Sequence, residues 1–190
     1  QELGQLEDAV KSYKEVVDIE PDFAEMHNNL GVILKELNQN DAALKSLERA
    51  VAIKPDFAEA HNNLGNILKE LDQQDAAIKC YENALSIKPD YVDAHYNLGG
   101  VLKDLDQLEA SVKCYENALS IKPDYADAHY NLGGVLKDLG KLEAAVKSYE
   151  NALAINKDFA DAHYNLAVTL QGLGQLDAAV KSYVKALTVK

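Results

Sequence analysis

The chain has 190 residues, of which 47% are hydrophobic and 26% are charged, and its formal net charge is −12. This composition is too apolar for a disordered chain, and no apolar run approaches the ~20 residues that span a bilayer, so we expect a folded protein without membrane insertion. Acidic residues outnumber basic ones by 31 to 19, which argues against nucleic acid as a partner because a polyanion attracts basic surfaces.

The cellular location is predicted from two weak signals. Only two cysteines occur, too few for a disulfide framework, which favours a reducing compartment. The first residues lack the basic and apolar blocks of a secretion signal. We therefore expect a cytoplasmic protein, unless the chain is a fragment that has lost such a signal.

The chain repeats itself at a spacing of 34 residues. All five histidines follow this period, an asparagine lies two positions after each of them, and the four prolines keep the same spacing. Such a period is typical of stacked supersecondary units rather than of one closed core. The histidines are His27, His61, His95, His129 and His163, and the prolines are Pro21, Pro55, Pro89 and Pro123.

In chain order, the first predicted element is a lone helix from about Leu6 to Glu20, within segment 1–23. Helical hairpins follow, because apolar residues recur at intervals of three and four on both sides of a short polar turn. We call the first helix of a hairpin helix A and the second helix B. The hairpin segments are 24–57, 58–91, 92–125, 126–159 and an incomplete 160–190, which predicts about eleven antiparallel helices.

The boundaries of these helices have local causes. Each following helix A is predicted to begin with an aspartate N-cap and a second acid in its first turn, as at Asp22 and Glu25, because carboxylates satisfy free amides and favour the helix dipole. The prolines end helix B. The turns inside the hairpins begin with residues that tolerate a left-handed backbone, namely Asn38, Asp72, Asp106, Gly140 and Gly174.

A small residue recurs in the middle of every helix A, although glycine there costs roughly 1 kcal/mol relative to alanine. We therefore expect two helices to approach closely at these positions, opposite the alanines of helix B. The small residues are Gly31, Gly65, Gly99, Gly133 and Ala167, and the alanines are Ala50, Ala84, Ala118, Ala152 and Ala186.

The period, the Asn-Leu-Gly run in helix A, the small residues of helix B and the proline at its end resemble the tetratricopeptide repeat family over the whole chain. A histidine stands at the first signature position, where the family usually has an aromatic residue. The resemblance implies an all-α fold, a right-handed superhelix of stacked hairpins, in which helix A lines a concave groove.

The polar stripe of helix A, roughly 140° from its apolar stripe, is then the candidate site. A carboxamide offers both the donor and the acceptor that a peptide bond requires, and the pattern is similar to the asparagine ladder in the repeats of O-linked N-acetylglucosamine transferases. We expect the groove to bind an extended peptide or protein segment with about micromolar affinity. The predicted binding residues are the ladder asparagines Asn29, Asn63, Asn97, Asn131 and Asn165, their neighbours Asn28, Asn62, Tyr96, Tyr130 and Tyr164, and the lysines Lys35, Lys69, Lys103 and Lys137.

Structural alternatives exist for the same residues. The asparagines can be satisfied by neighbouring side chains or water, and the tyrosine rings can pack against the adjacent repeat. The acids that recur in the first turn of helix A stand where chaperone-binding repeats carry basic residues, so we do not expect a clamp for an acidic tail. The same acids have a structural explanation, because they satisfy free amides and favour the helix dipole in the first turn. These acids are Glu25, Glu59, Asp93, Asp127 and Asp161.

Catalytic and metal chemistry are not predicted. The sequence has no nucleophile with a nearby base and no phosphate-binding loop, so we expect neither an enzyme nor a cofactor. Histidines in adjacent repeats would lie about 10 Å apart, whereas zinc needs ligands at about 2.0 to 2.1 Å from one ion. Cys80 and Cys114 exceed by the same reasoning the roughly 7 Å limit for a disulfide, so free thiols are expected.

The apolar ends leave alternatives open. The first helix lacks a helix A partner, and the last carries Val180, Val184 and Leu187, although solenoids need polar caps. We expect either a piece of a longer array, such as the substrate-recruiting arm of a transferase, or a chain whose ends associate with other copies. The second alternative resembles the tetratricopeptide proteins that coat bacterial organelles.

Overall fold

The computed structural model describes the backbone of residues 2–189 and the side chains of residues 5–189. This part of the chain forms eleven helices and no strand, which confirms the predicted all-α class and the expected number of helices. The first helix begins at Glu2 instead of near Leu6, and the outermost predicted positions, Gln1 and Lys190, lie outside the described residues. The helices are α1 (Glu2–Ile19), α2 (Ala24–Glu36), α3 (Asn40–Ile53), α4 (Ala58–Glu70), α5 (Gln74–Ile87), α6 (Val92–Asp104), α7 (Leu108–Ile121), α8 (Ala126–Asp138), α9 (Leu142–Ile155), α10 (Ala160–Gly172) and α11 (Leu176–Thr188).

The helices are grouped into two compact units, Gln1–Asn97 and Leu98–Lys190, with the division inside α6. In the first unit α2 packs on α3 and α4 on α5, while α1 contacts α2, α3 contacts α4, and the two A helices α2 and α4 meet directly. In the second unit α8 pairs with α9 and α10 with α11; α7 contacts α8, α9 contacts α10, and α8 meets α10. Within each unit the core is therefore shared between successive hairpins, as in a solenoid.

The mid-helix glycines face a large side chain of helix B. A Cβ built on Gly65 would lie 2.6 Å from Cε1 of Tyr81, and one on Gly133 would lie 2.8 Å from Cε1 of Tyr149. Both tyrosines are fully buried. The predicted close approach is confirmed, but the side chain that requires the glycine is this tyrosine rather than the helix B alanine. The same relation holds between Gly31 and Leu47 and between Gly99 and Tyr115.

The predicted left-handed turn positions are confirmed. The backbone φ is 57° at Asn38 and Asp72, 59° at Asp106, 71° at Gly140 and 73° at Gly174. Asparagine, aspartate and glycine are the residues that reach this region at the lowest cost. Each hairpin therefore ends its helix A by the local chemistry of a single residue.

The predicted aspartate N-cap of helix A is wrong. The N-cap positions of α2, α4, α8 and α10 are the aromatic residues Phe23, Phe57, Tyr125 and Phe159, and no side chain caps the helix. The aromatic ring contacts the lysine three residues earlier instead: Nζ of Lys54 lies 4.9 Å above the ring centroid of Phe57, and Nζ of Lys122 lies at the same distance from the centroid of Tyr125.

The acid of the first turn is present as predicted, and in the first unit it bonds a lysine at the end of helix B. Oε1 of Glu25 accepts a hydrogen bond of 2.8 Å from Nζ of Lys54, and this hydrogen bond lowers the pKa of the Glu25 carboxyl. Oε1 of Glu59 lies 3.6 Å from Nζ of Lys88. These acids therefore join the two ends of a hairpin.

The histidines hold the entry to each helix A. Nε2 of every histidine lies 2.9 to 3.0 Å from the carbonyl oxygen six residues earlier. Because a carbonyl only accepts, Nε2 is the donor of this hydrogen bond. Each ring thus ties the connection before helix A to the helix itself. The described residues contain no group of three or more metal-binding side chains.

Candidate functional site

The ladder asparagines of the first unit connect neighbouring A helices. Nδ2 of Asn63 donates to Oδ1 of Asn28 at 2.9 Å, and Nδ2 of Asn97 donates to Oδ1 of Asn62 at 3.0 Å. The acceptors Asn28 and Asn62 are only 7% and 4% exposed. This corrects the expectation that they line the surface: their carboxamides are buried because they join adjacent repeats.

The ladder side chains keep part of their hydrogen-bonding capacity. A carboxamide has two N–H groups and one oxygen, and Asn63 and Asn97 each use one N–H for the bond to the preceding repeat. Both side chains are half-buried, so the second N–H and the Oδ1 atom are left for solvent or a ligand. Oδ1 of Asn29 accepts a bond of 3.4 Å from Nδ2 of Asn28.

In the second unit a tyrosine hydroxyl replaces the buried asparagine. Nδ2 of Asn165 donates to the hydroxyl of Tyr130 at 2.9 Å. The Tyr130 ring lies 4.8 Å from Phe159 and 5.9 Å from Tyr149 between centroids, and burial raises the pKa of its phenol. Tyr130 therefore packs and bonds inside the protein, which agrees with the structural interpretation of this position, and its role in peptide binding stays a prediction.

The other predicted tyrosines and ladder positions differ in exposure. Tyr164 is 55% exposed, and its ring lies 5.8 Å from that of Tyr183. Tyr96 in the first unit and Asn131 in the second are half-buried. Of the three predicted tyrosines, Tyr164 on α10 is therefore the one whose ring is exposed.

The lysines of helix A differ between repeats. Nζ of Lys35 forms an ion pair of 3.0 Å with Glu70 of the next helix A, whereas in the described part of the chain Lys103 and Lys137 have no carboxylate within 4.0 Å. By the repeat, Asp138 stands where Lys103 would meet a glutamate, and Gly172 stands where Lys137 would meet an acid. Gly172 offers Lys137 no carboxylate, and the Asp138 carboxylate forms no ion pair with Lys103 in the described structure.

Five of the predicted residues come together around one polar pocket in the second unit, which we call the Tyr149 pocket. Its volume is about 230 Å³. The lining consists of Lys103, Tyr130, Asn131, Gly134, Lys137, Asp138, Tyr149 and Asn165. A pocket of about 140 Å³ lies in the first unit, where Asn63 and Lys35 are joined by Asn66.

The Tyr149 hydroxyl was not predicted from the sequence. It is buried and has no hydrogen-bond partner in the described structure, whereas the equivalent hydroxyl of Tyr81 donates to Oδ1 of Asn66 at 2.8 Å. Gly134 stands where the second unit would need that asparagine. The signal was present in the sequence as an asparagine-to-glycine difference between otherwise matching repeats.

Helix α11 carries an exposed apolar face. Leu176, Val180, Val184 and Leu187 are all more than half exposed, and a pocket of about 420 Å³ lies beside them, lined in part by Tyr164 and Tyr183. Among the helices that the structure describes, none is long and apolar enough to cross a membrane. Neither Cys80 nor Cys114 forms a disulfide, as predicted.

The chain matches models of two repeat families. The model described as TPR repeat matches residues 2–38, 33–72, 65–106, 101–140 and 134–174, and the one described as Tetratricopeptide repeat matches residues 160–190. No curated protein matches the chain.

Several solved structures have a similar fold. A crystal structure of MamA shares 25% identity at a TM-score of 0.79, covering 84% of this chain and 93% of that one. YrrB, described as a TPR protein with an unusual peptide-binding site, shares 22% at a TM-score of 0.80, covering 95% and 93%. Pseudomonas aeruginosa PilF shares 21% at a TM-score of 0.80, covering 88% and 76%.

Proposed function

Because the chain belongs to the tetratricopeptide repeat family, we propose that it is a non-catalytic interaction module that binds an extended segment of another protein across its A helices. The observation that carries the proposal is the state of the ladder asparagines. Asn63 and Asn97 each retain one N–H and one Oδ1 on a half-buried side chain. A peptide backbone needs a donor and an acceptor of this kind at regular intervals.

The bonds between repeats favour this use. Nδ2 of Asn63 is held by Asn28, and that of Asn97 by Asn62, so the orientation of each carboxamide is fixed before a ligand arrives. A side chain that is already ordered loses less conformational entropy on binding. Each new hydrogen bond contributes about 0.5 to 1.5 kcal/mol, and several of them give an affinity in about the micromolar range.

Similarity to YrrB points the same way, since that protein is described as having a peptide-binding site. At 22% identity the comparison carries the fold, and the binding residues of this chain are proposed on their own geometry.

The test is a ladder variant in which all of Asn29, Asn63, Asn97, Asn131 and Asn165 are changed to alanine. Binding is measured by fluorescence anisotropy against a library of labelled peptides of ten residues. We expect affinity to fall at least tenfold, while the matched control with Asn83, Asn117 and Asn151 of helix B changed to alanine binds as the unmodified chain does.

Stability has to be followed in the same experiment, because losing the Asn63 donor leaves buried Oδ1 of Asn28 without its partner. Circular dichroism at the temperature of the binding assay must show the same helicity for both variants. Unchanged peptide affinity in a folded ladder variant would sink the proposal.

A second candidate function is self-association through α11. Its four exposed apolar side chains form a face that a helix of a second copy of the protein would cover favourably. Light scattering over a concentration series tests this: growth of the mass with concentration that Val184→Glu abolishes supports it, and a constant monomer mass up to millimolar concentration rules it out.

A further inference from the structure

The Tyr149 pocket contains a donor that none of the described residues satisfies. The Tyr149 side chain is 0% exposed, and its hydroxyl has no hydrogen-bond partner among the described residues. A Cβ built on Gly134 would lie 3.8 Å from this hydroxyl and 3.5 Å from Nζ of Lys103. The missing side chain of Gly134 therefore leaves a space that a phenol and an ammonium group both face.

The first unit shows what fills such a space when the protein supplies the group itself. There Oδ1 of Asn66 accepts a hydrogen bond of 2.8 Å from the hydroxyl of Tyr81, and Nζ of Lys35 forms an ion pair of 3.0 Å with Glu70. The second unit lacks both arrangements at the equivalent positions. In the described part of the second unit, the Tyr149 hydroxyl and the Lys103 ammonium group are present, but no side chain takes the place of the Asn66 and Glu70 acceptors.

The charges around the pocket favour an anion. Two ammonium groups, Lys103 and Lys137, and one carboxylate, Asp138, line it, and neither lysine has a carboxylate within 4.0 Å in the described part of the chain. The local balance is one net positive charge in a chain whose formal net charge is −12. Tyr149 and Tyr130 add neutral phenols, whose pKa values burial raises, so they stay protonated as donors.

We propose that the Tyr149 pocket binds the carboxylate of an aspartate or glutamate side chain in the segment that crosses the A helices. Its oxygens accept hydrogen bonds from the hydroxyl of Tyr149 and from the ammonium groups of Lys103 and Lys137. The proposal rests on the proposed function, since it specifies a side chain of the same bound segment. It predicts that the second unit prefers an acidic residue at one position of the ligand.

The experiment compares two fluorescein-labelled peptides of alternating alanine and serine that differ only in a central glutamate or glutamine. We expect the glutamate peptide to bind at least tenfold more tightly in 0.15 M salt. Gly134→Asn should remove this preference, because its carboxamide oxygen would accept the hydrogen bond of the Tyr149 hydroxyl as Oδ1 of Asn66 accepts that of Tyr81. Lys103→Gln provides a second variant with the same expected loss, and Lys147→Gln on the exposed face of helix B is the charge-matched control.

The outcomes separate the two proposals. Equal binding of both peptides overturns the carboxylate site but leaves ladder binding intact, whereas failure of both peptides overturns both. A glutamate preference that Gly134→Asn and Lys103→Gln leave unchanged overturns the pocket as its origin. A peptide with central phosphoserine that binds more tightly than the glutamate peptide overturns the assignment of the ligand class to carboxylate.

Discussion

Two adjacent glycines of α8, Gly133 and Gly134, should respond in opposite directions to the same substitution by alanine. A Cβ on Gly133 would lie 2.8 Å from both Cδ1 and Cε1 of Tyr149 and 3.0 Å from its Cζ. A Cβ on Gly134 would meet only Nζ of Lys103 at 3.5 Å and the Tyr149 hydroxyl at 3.8 Å. The second set of distances is ordinary van der Waals contact, but the first is not.

The magnitudes follow from helix propensity and packing. Alanine gains about 1 kcal/mol over glycine inside a helix, and at Gly134 nothing opposes this gain, so Gly134→Ala should stabilise the protein by about 0.5 to 1 kcal/mol. At Gly133 the fully buried Tyr149 ring has to move, and overpacking a core costs about 1 to 3 kcal/mol. Gly133→Ala should therefore destabilise by up to about 2 kcal/mol.

Urea denaturation followed by circular dichroism measures both free energies of unfolding. With an m-value of about 2 kcal/mol/M, the two midpoints should differ by about 1 M. An unchanged m-value would show that both variants unfold from the same compact state. A Gly133→Ala variant at least as stable as Gly134→Ala would refute the close approach of helix A to Tyr149.

Further predictions concern the tyrosines and the lysine pairing. Tyr81→Phe should lower the free energy of unfolding by about 1 kcal/mol, since the hydrogen bond to Asn66 is lost. Tyr149→Phe should lower it by less than about 0.5 kcal/mol, because its hydroxyl has no partner in the described structure. Urea midpoints distinguish the two variants, and equal losses of stability would contradict this difference. Burial raises the pKa of both phenols above their ordinary value, so their contribution to stability is complete below about pH 10 and is lost as the pH rises further. Thermal unfolding between pH 8 and 11.5 should therefore show a steeper alkaline loss of stability in the unmodified chain than in the Tyr81→Phe, Tyr149→Phe double variant. Superimposable stability profiles of the two proteins would argue against it. The longer side chain of Asp138→Glu should let its carboxylate reach Lys103 as Glu70 reaches Lys35. The preference for the glutamate peptide over the glutamine peptide should then weaken at least threefold. An unchanged preference would contradict the role given to Lys103.

The sequence predicts the hairpins well because their signals are local and recur. The left-handed φ at Asn38 and at Gly140 depends on one residue type at each turn. The N-cap of helix A was mispredicted because residue preferences at this position favour aspartate, whereas the helix begins so that Phe57 occupies it and lies under Lys54, three residues earlier.

The site was predicted only in part, for a similar reason. Asn28 and Asn63 belong to the same polar stripe of helix A, and only the packing of α2 against α4 shows that one is buried and the other is half-buried. The Tyr149 pocket depends on the missing side chain at Gly134: the sequence shows the difference from Asn66, but only the structure shows that Asn66 binds the tyrosine hydroxyl of helix B.

The central claim is that ladder asparagines bind the backbone of an extended segment, and the side-chain amide resonances of the chain test it most directly. In a nitrogen-15 titration with the peptide of highest affinity, the NH₂ signals of Asn63 and Asn97 should shift progressively to saturation. Those of Asn83 and Asn117 on helix B should stay in place. Saturable binding that shifts only the helix B signals, and leaves Asn63 and Asn97 unmoved, would contradict the account.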